Sequence, residues 1–202
     1  MDLDPHKSIE QYVKTLSFEQ IAERIRKEKG FSMETTPLEP VTTSDRQNFT
    51  YEDGKNAQDT SGAYLEFTLH FMAAKDMIVH LTSANSESGA EDGTAVMSEN
   101  NALPASMRIS FTADGTTWIY DPGMDATSTT EGSAKTFGLP GADAMNINND
   151  NAMFSLKEGV NKEVKVHIWM EGTDPACTDE LKGSDYSIRL RFTGDKTDEQ
   201  NS

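Results

Sequence analysis

The chain reads as a mainly β protein, an antiparallel jelly-roll-like β-sandwich with a short N-terminal helical arm. Three observations predict this. Two stretches, Tyr64 to Phe71 and Val164 to Met170, alternate apolar and polar residues with period two. The pair Asp114-Gly115 lies between two further alternating stretches and marks a hairpin. Composition changes near Pro37: residues 1–34 hold seven acids and six bases and are rich in helix formers, while the remainder holds 27 acids against 12 bases and abounds in Thr, Ser, Gly, Asn and Asp.

The arm spans residues 1–36. Ile9, Tyr12, Val13 and Leu16 follow the stripe of an amphipathic helix, and Phe18, Ile21, Ala22 and Ile25 repeat it in a shifted phase. The shift implies a break at Ser17, whose hydroxyl can cap the Gln20 amide. Gly30 stops the second helix, with Arg24, Arg26, Lys27 and Lys29 at its negative end. So short a helix pair is marginal in water, and its stripe (Phe18, Ile21, Ile25) needs a surface to rest on: its own domain, a neighbouring subunit or another partner.

Residues 37–47 form a linker or an extended strand wrapping a sheet edge. The sandwich itself spans residues 48–194. In its first long strand Leu65, Phe67, Leu69 and Phe71 share one face, opposite Tyr64, Glu66, Thr68 and His70. Strands are predicted at Met77 to Thr82, Met107 to Thr112 and Thr117 to Tyr120, with weaker ones at Phe137 to Leu139 and Ala152 to Lys157. Val164, Val166, Ile168 and Met170 share a face, as do Tyr186, Ile188, Leu190 and Phe192. With no helix between strands, parallel crossovers are not expected. Ser83 to Ala105 and Gly123 to Lys135 read as surface loops, and residues 195–202 as a polar tail.

Acids outnumber bases 34 to 18, so the field repels phosphate backbones and anionic membranes. No run is apolar enough to span a bilayer, and the opening Met1 to Pro5 is not a secretion leader as written. The lone Cys177 excludes an internal disulfide. No nucleophile elbow, zinc-binding histidine pair or phosphate-cradling glycine loop is present, and no histidine lies near Cys177 in sequence, so the expectation is a non-enzyme. His70, His80 and His167 fall on the faces turned away from the apolar rows and read as solvated.

Asn146, Asn148 and Asp150 alternate as in a calcium loop, but Asn151 and Lys157 stand where that loop needs Gly and Glu. Glu171, Asp174 and Asp179, with Glu180 and Asp185, form a second oxygen-rich cluster; calcium is its candidate ion and a solvated acidic loop the plainer account. No other cofactor is implied. Trp118, Tyr120 and Trp169 suit either a sugar-stacking surface or the core.

The run Val164 to Asp179, VKVHIWMEGTDPACTD, resembles the end of secreted Gram-positive proteins of the TasA and camelysin type, exported with a SipW-like signal peptidase. The matching residues are Ile168, Trp169, Met170, Glu171, Gly172, Asp174, Pro175, Cys177 and Thr178. The stretches Tyr64 to Phe71 and Met107 to Pro122 look like that group's middle strands. The resemblance implies a jelly-roll subunit of a secreted or cell-surface fibre or biofilm matrix, joined to other copies or other surface proteins by strand donation. Val41 to Tyr51 is then the natural donor, anchored by Phe49 and Tyr51, and closure of the same segment on its own chain is the competing fate. The motif itself reads as architectural: Trp169 packs, Gly172 and Pro175 turn the chain, Glu171 and Asp174 bind loop amides. A carbohydrate- or ligand-binding module and an intracellular partner-binding protein are the alternatives.

Overall fold

A computed structural model describes residues 38–59, 62–82, 93–124, 129–131, 134–139 and 152–196. The predicted helical arm, with Phe18, Ile21 and Ile25, lies outside the described residues, as does the Asn146 to Asp150 pattern.

The described chain is mainly β, and its strands form a seven-stranded, a three-stranded and a two-stranded sheet around a shared core. In order, the strands are β1 (Pro40–Val41), β2 (Tyr64–Phe71), β3 (Met77–Leu81), β4 (Ala95–Met97), β5 (Met107–Ala113), β6 (Thr116–Tyr120), β7 (Thr129–Glu131), β8 (Ala134–Phe137), β9 (Ala152–Leu156), β10 (Lys162–Glu171), β11 (Ser187–Arg189) and β12 (Phe192–Lys196). A one-turn helix, α1 (Leu103–Ser106), leads directly into β5.

The larger sheet runs β10-β5-β6-β8-β7, and the far edge of β10 is shared by two strands. Antiparallel β2 covers Lys162 to Trp169, and parallel β1 takes over at Met170 and Glu171. The three-stranded sheet is β12-β3-β9, and the two-stranded sheet is β11-β4. Hydrogen bonds from Thr82 N to Arg191 O (2.9 Å) and from Thr94 N to Thr82 O (2.8 Å) join the two parts.

Period-two alternation places the core between these sheets. Leu65, Phe67 and Leu69 of β2, Val164, Val166 and Ile168 of β10, and Ile109 and Phe111 of β5 face Val79 and Leu81 of β3, Phe154 of β9 and Phe192 of β12. The Phe111 and Phe192 rings meet nearly perpendicular, centroids 5.7 Å apart. Trp118 and Tyr120 are buried in this core, which removes them as a sugar-stacking surface. The hairpin formed by β5 and β6 turns at Asp114 (φ 52°) and Gly115 (φ 76°), the left-handed pair that a tight two-residue connection requires.

Several expectations are corrected. The sheet is not purely antiparallel: β1 pairs parallel with β10, and β6 with β8. Residues 121–133 separate β6 from β8, a span long enough for a parallel crossover, and β7 forms within it. The region read as a loop from Ser83 to Ala105 contains β4 and the start of α1. The last apolar row splits at Leu190 and Arg191 into β11 and β12, and β12 runs two residues into the polar tail. His80 and His167 are buried, not solvated; of the three strand histidines only His70 is exposed.

Candidate functional site

Part of the outer face of the larger sheet, around Tyr64, Ile119 and Trp169, is itself covered. Residues 41–59 fold back on themselves through paired hydrogen bonds between Thr42 and Thr50 (both 2.9 Å) and one from Ala57 N to Phe49 O (2.8 Å). The bend between Thr42 and Thr50 is held by Asp45, whose Oδ1 accepts from the amides of Gln47 (2.9 Å) and Asn48 (2.7 Å). These donors hold the Asp45 carboxyl down at about 2.

The covering segment inserts Phe49, 1% exposed, into an aromatic box on the sheet. The ring stacks on Tyr64 at 4.2 Å between centroids and stands near edge-on to Trp169 at 5.3 Å, with His167 also at 5.3 Å. Val41, Ala57, Ile119 and Ala134 complete this second apolar cluster, and Tyr51 packs half-buried against it. Of the two predicted interface anchors in this segment, Phe49 is therefore buried within its own chain, and Tyr51 borders the same cluster.

Beneath Phe49 lies a polar row that crosses three strands: Glu66 on β2, His167 on β10 and Ser110 on β5 are register neighbours. His167 Nε2 lies 2.9 Å from Glu66 Oε2. Burial pushes the imidazole below its ordinary value, against the pull of Glu66, so the ring is neutral near pH 7 and Nε2–H donates to the carboxylate. His167 Nδ1, Ser110 Oγ and Thr136 Oγ1 are buried with no hydrogen-bond partner among the described residues.

The run that carries the family resemblance turns the chain just past the box. Trp169 Nε1 donates to Glu171 Oε2 (2.9 Å), and Glu171 Oε1 accepts from the Thr173 hydroxyl (2.7 Å) and amide (3.2 Å). Gly172 N donates to Val41 O (2.9 Å), extending the β1 pairing by one bond. Asp174 Oδ1 accepts from Ala176 N (2.8 Å), and its other oxygen pairs with Arg108. Arg108 also reaches Asp121 Oδ1 at 3.2 Å. One guanidinium thus joins the start of β5, the end of β6 and the turn after β10. The three stretches that carry the resemblance meet there or, for Tyr64 to Phe71, lie alongside on β10.

Two cavities flank this turn, each of about 260 Å³. The first is polar and is lined by Thr42, Arg46, Arg108, Trp169, Glu171 and Asp174, with Pro175 at its edge. The second is more apolar and is lined by Leu38, Leu103, Met170, Cys177, Leu181 and Tyr186, with Thr178, Asp179 and Glu52 also on its wall. Ile168 points away from both, into the main core. Burial first, then the charges of Asp174 and Glu171, push the Cys177 thiol up, which disfavours the nucleophilic thiolate.

The calcium candidates do not converge. Glu171 is engaged by Trp169 and Thr173, Asp174 by Arg108, and Asp179 by Lys182 at the surface. Among the described residues no group of three or more His, Cys, Asp or Glu side chains could hold a metal ion. No helix among them is long and apolar enough to cross a membrane.

Sequence reasoning missed Arg108, Arg46 and the Glu66–His167–Ser110 row, because isolated residues on separate strands carry no spacing signal. Comparison with known proteins finds no matching family model, no matching curated protein and no matching solved structure. Fold and site together define a β-sandwich-like protein with a partly covered outer face.

Proposed function

We propose that this chain is a non-enzymatic structural subunit of a secreted or cell-surface assembly, a jelly-roll similar to the TasA and camelysin type, that self-associates by exchanging its covering segment. The carrying observation is how that segment is attached. Its backbone joins the sheet through the two-residue β1 and the Gly172 amide, and its main apolar anchor is one ring, Phe49. Donated to the next copy, residues 38–59 would restore the same bonds and fill the same aromatic box, so exchange costs little enthalpy and is favoured by concentration.

Light scattering across a concentration series, with electron microscopy, tests this. Wild-type protein is expected to form high-mass species that Phe49→Ala weakens and deletion of residues 1–51 abolishes. A wild-type chain that stays monomeric up to millimolar concentration refutes it.

The polar cavity favours a second reading, a module that binds a small polyhydroxylated ligand. Its wall brings Arg46, Arg108, Glu171 and Asp174 together with the hydroxyls of Thr42, Thr43 and Thr173, and a ligand there would share groups already bonded within the protein. Glycan retention lost on Arg46→Ala would support that reading over assembly.

A further inference from the structure

The apolar cavity around Cys177 lies where the described chain begins. Leu38, the first described residue, and Pro40 form part of its wall. Its floor is Leu38, Leu103, Met170 and Leu181, all buried, while Cys177 and Tyr186 are only partly covered. A cavity of about 150 Å³ with such a lining already holds a benzene ring. At about 260 Å³ this one has room for an aromatic or two branched aliphatic side chains.

We infer that residues 18–33 of the same chain dock here, seating the apolar stripe Phe18, Ile21 and Ile25 over Cys177. Three observations select this occupant. The stripe needs an apolar surface, because an amphipathic segment so short is marginal alone. It is within reach: Gly30 is eight residues from Leu38, and eight extended residues span roughly 26–29 Å, enough to return to the wall that includes Leu38. The net charges also match. Arg24, Arg26, Lys27 and Lys29 follow the stripe; Glu52 is on the cavity wall, where Asp179 is paired with Lys182, and the adjoining chain adds Glu180 and Asp185. Docking by another copy would satisfy the same chemistry but forgoes the high effective concentration of a tethered segment. The docked residues lie outside the exchanged segment, but that segment supplies Leu38, Pro40 and Glu52 to the cavity wall, so docking is read in dilute, monomeric protein, where exchange does not occur.

Cys177 is the protein's only cysteine, and it supplies the probe. Its reaction with 5,5′-dithiobis(2-nitrobenzoate) at pH 8.5, in dilute protein, is compared between the full chain and the Ile21→Asp, Ile25→Asp double variant. The variant is expected to react at least about tenfold faster, with an unchanged circular dichroism spectrum in the strand region. Equal rates overturn the inference, and so does a difference that grows with protein concentration. Separately, Ile25→Cys oxidised in dilute solution is expected to give an internally bridged monomer with Cys177. A disulfide-linked dimer as the main product would overturn same-chain docking.

Discussion

Replacing Phe49 by alanine isolates what holds the covering segment in place. The side chain is 1% exposed, so truncation removes the transfer term of a fully buried phenyl ring and leaves a hole among Tyr64, His167 and Trp169. Such changes cost about 3–5 kcal/mol in closed cores. Here the segment can lift away once its anchor is gone, so the loss is capped by the segment's own docking energy, and about 3 kcal/mol is expected. Urea unfolding followed by tryptophan emission measures it, because Trp169 packs against Phe49 and reports on the box. Amide exchange at Thr42, Thr50 and Ala57, whose bonds lie within the segment, should accelerate by about two orders of magnitude. Phe49→Leu, which keeps most of the volume, should cost about 1 kcal/mol. A loss below about 1 kcal/mol for the alanine variant would refute the view that this ring is the anchor.

Arg108→Met strands Asp121 and Asp174, both largely buried, and should destabilise by about 2–3 kcal/mol, less than a fully buried pair because water still reaches the carboxylates; chemical denaturation checks it. His167 is neutral in the fold with a lowered pKa, so below about pH 6.5 the unfolded chain takes up a proton that the folded chain refuses. Stability is therefore full above that pH and falls on acidification at up to about 1.4 kcal/mol per unit until the folded value is reached. The groups facing the ring are Glu66, Lys165 and Asp59, and His167→Gln should flatten the profile below about pH 6.5 in thermal melts. Gly138→Ala would drive a Cβ into Met124 O, so the backbone after β6 must move, and a fall in melting temperature of several degrees is expected for about 1–3 kcal/mol.

The main core was legible because period two is a strong signal. The rows Leu65, Phe67, Leu69 and Val164, Val166, Ile168, read as apolar faces, are the faces that meet the three-stranded sheet. The Asp114-Gly115 turn was equally plain, since its chemistry is local. Glu171 and Asp174 were read as binding loop amides, and each does so. What failed was the inference that the opposite face is wet. Alternation says which side chains share a face, not whether a third layer lies over it, so His167 and Trp169 gave no sign of the segment above them. Arg108 was invisible for a related reason: its partners at 121 and 174 come near only through strand order, which one sequence does not display. The parallel pairings escaped because β1 and β8 are too short to show a pattern.

The edge of β10 that receives β1 has a consequence for how the protein is made. Val41 pairs with Glu171, which leaves the ribosome about 130 residues later. At about 5–20 residues per second the early segment spends on the order of ten seconds with nowhere to bind. Throughout that interval the Phe49 ring and the backbone around it are open to chaperones, to proteases and to any finished copy nearby, so the time of synthesis is when this chain most readily meets another.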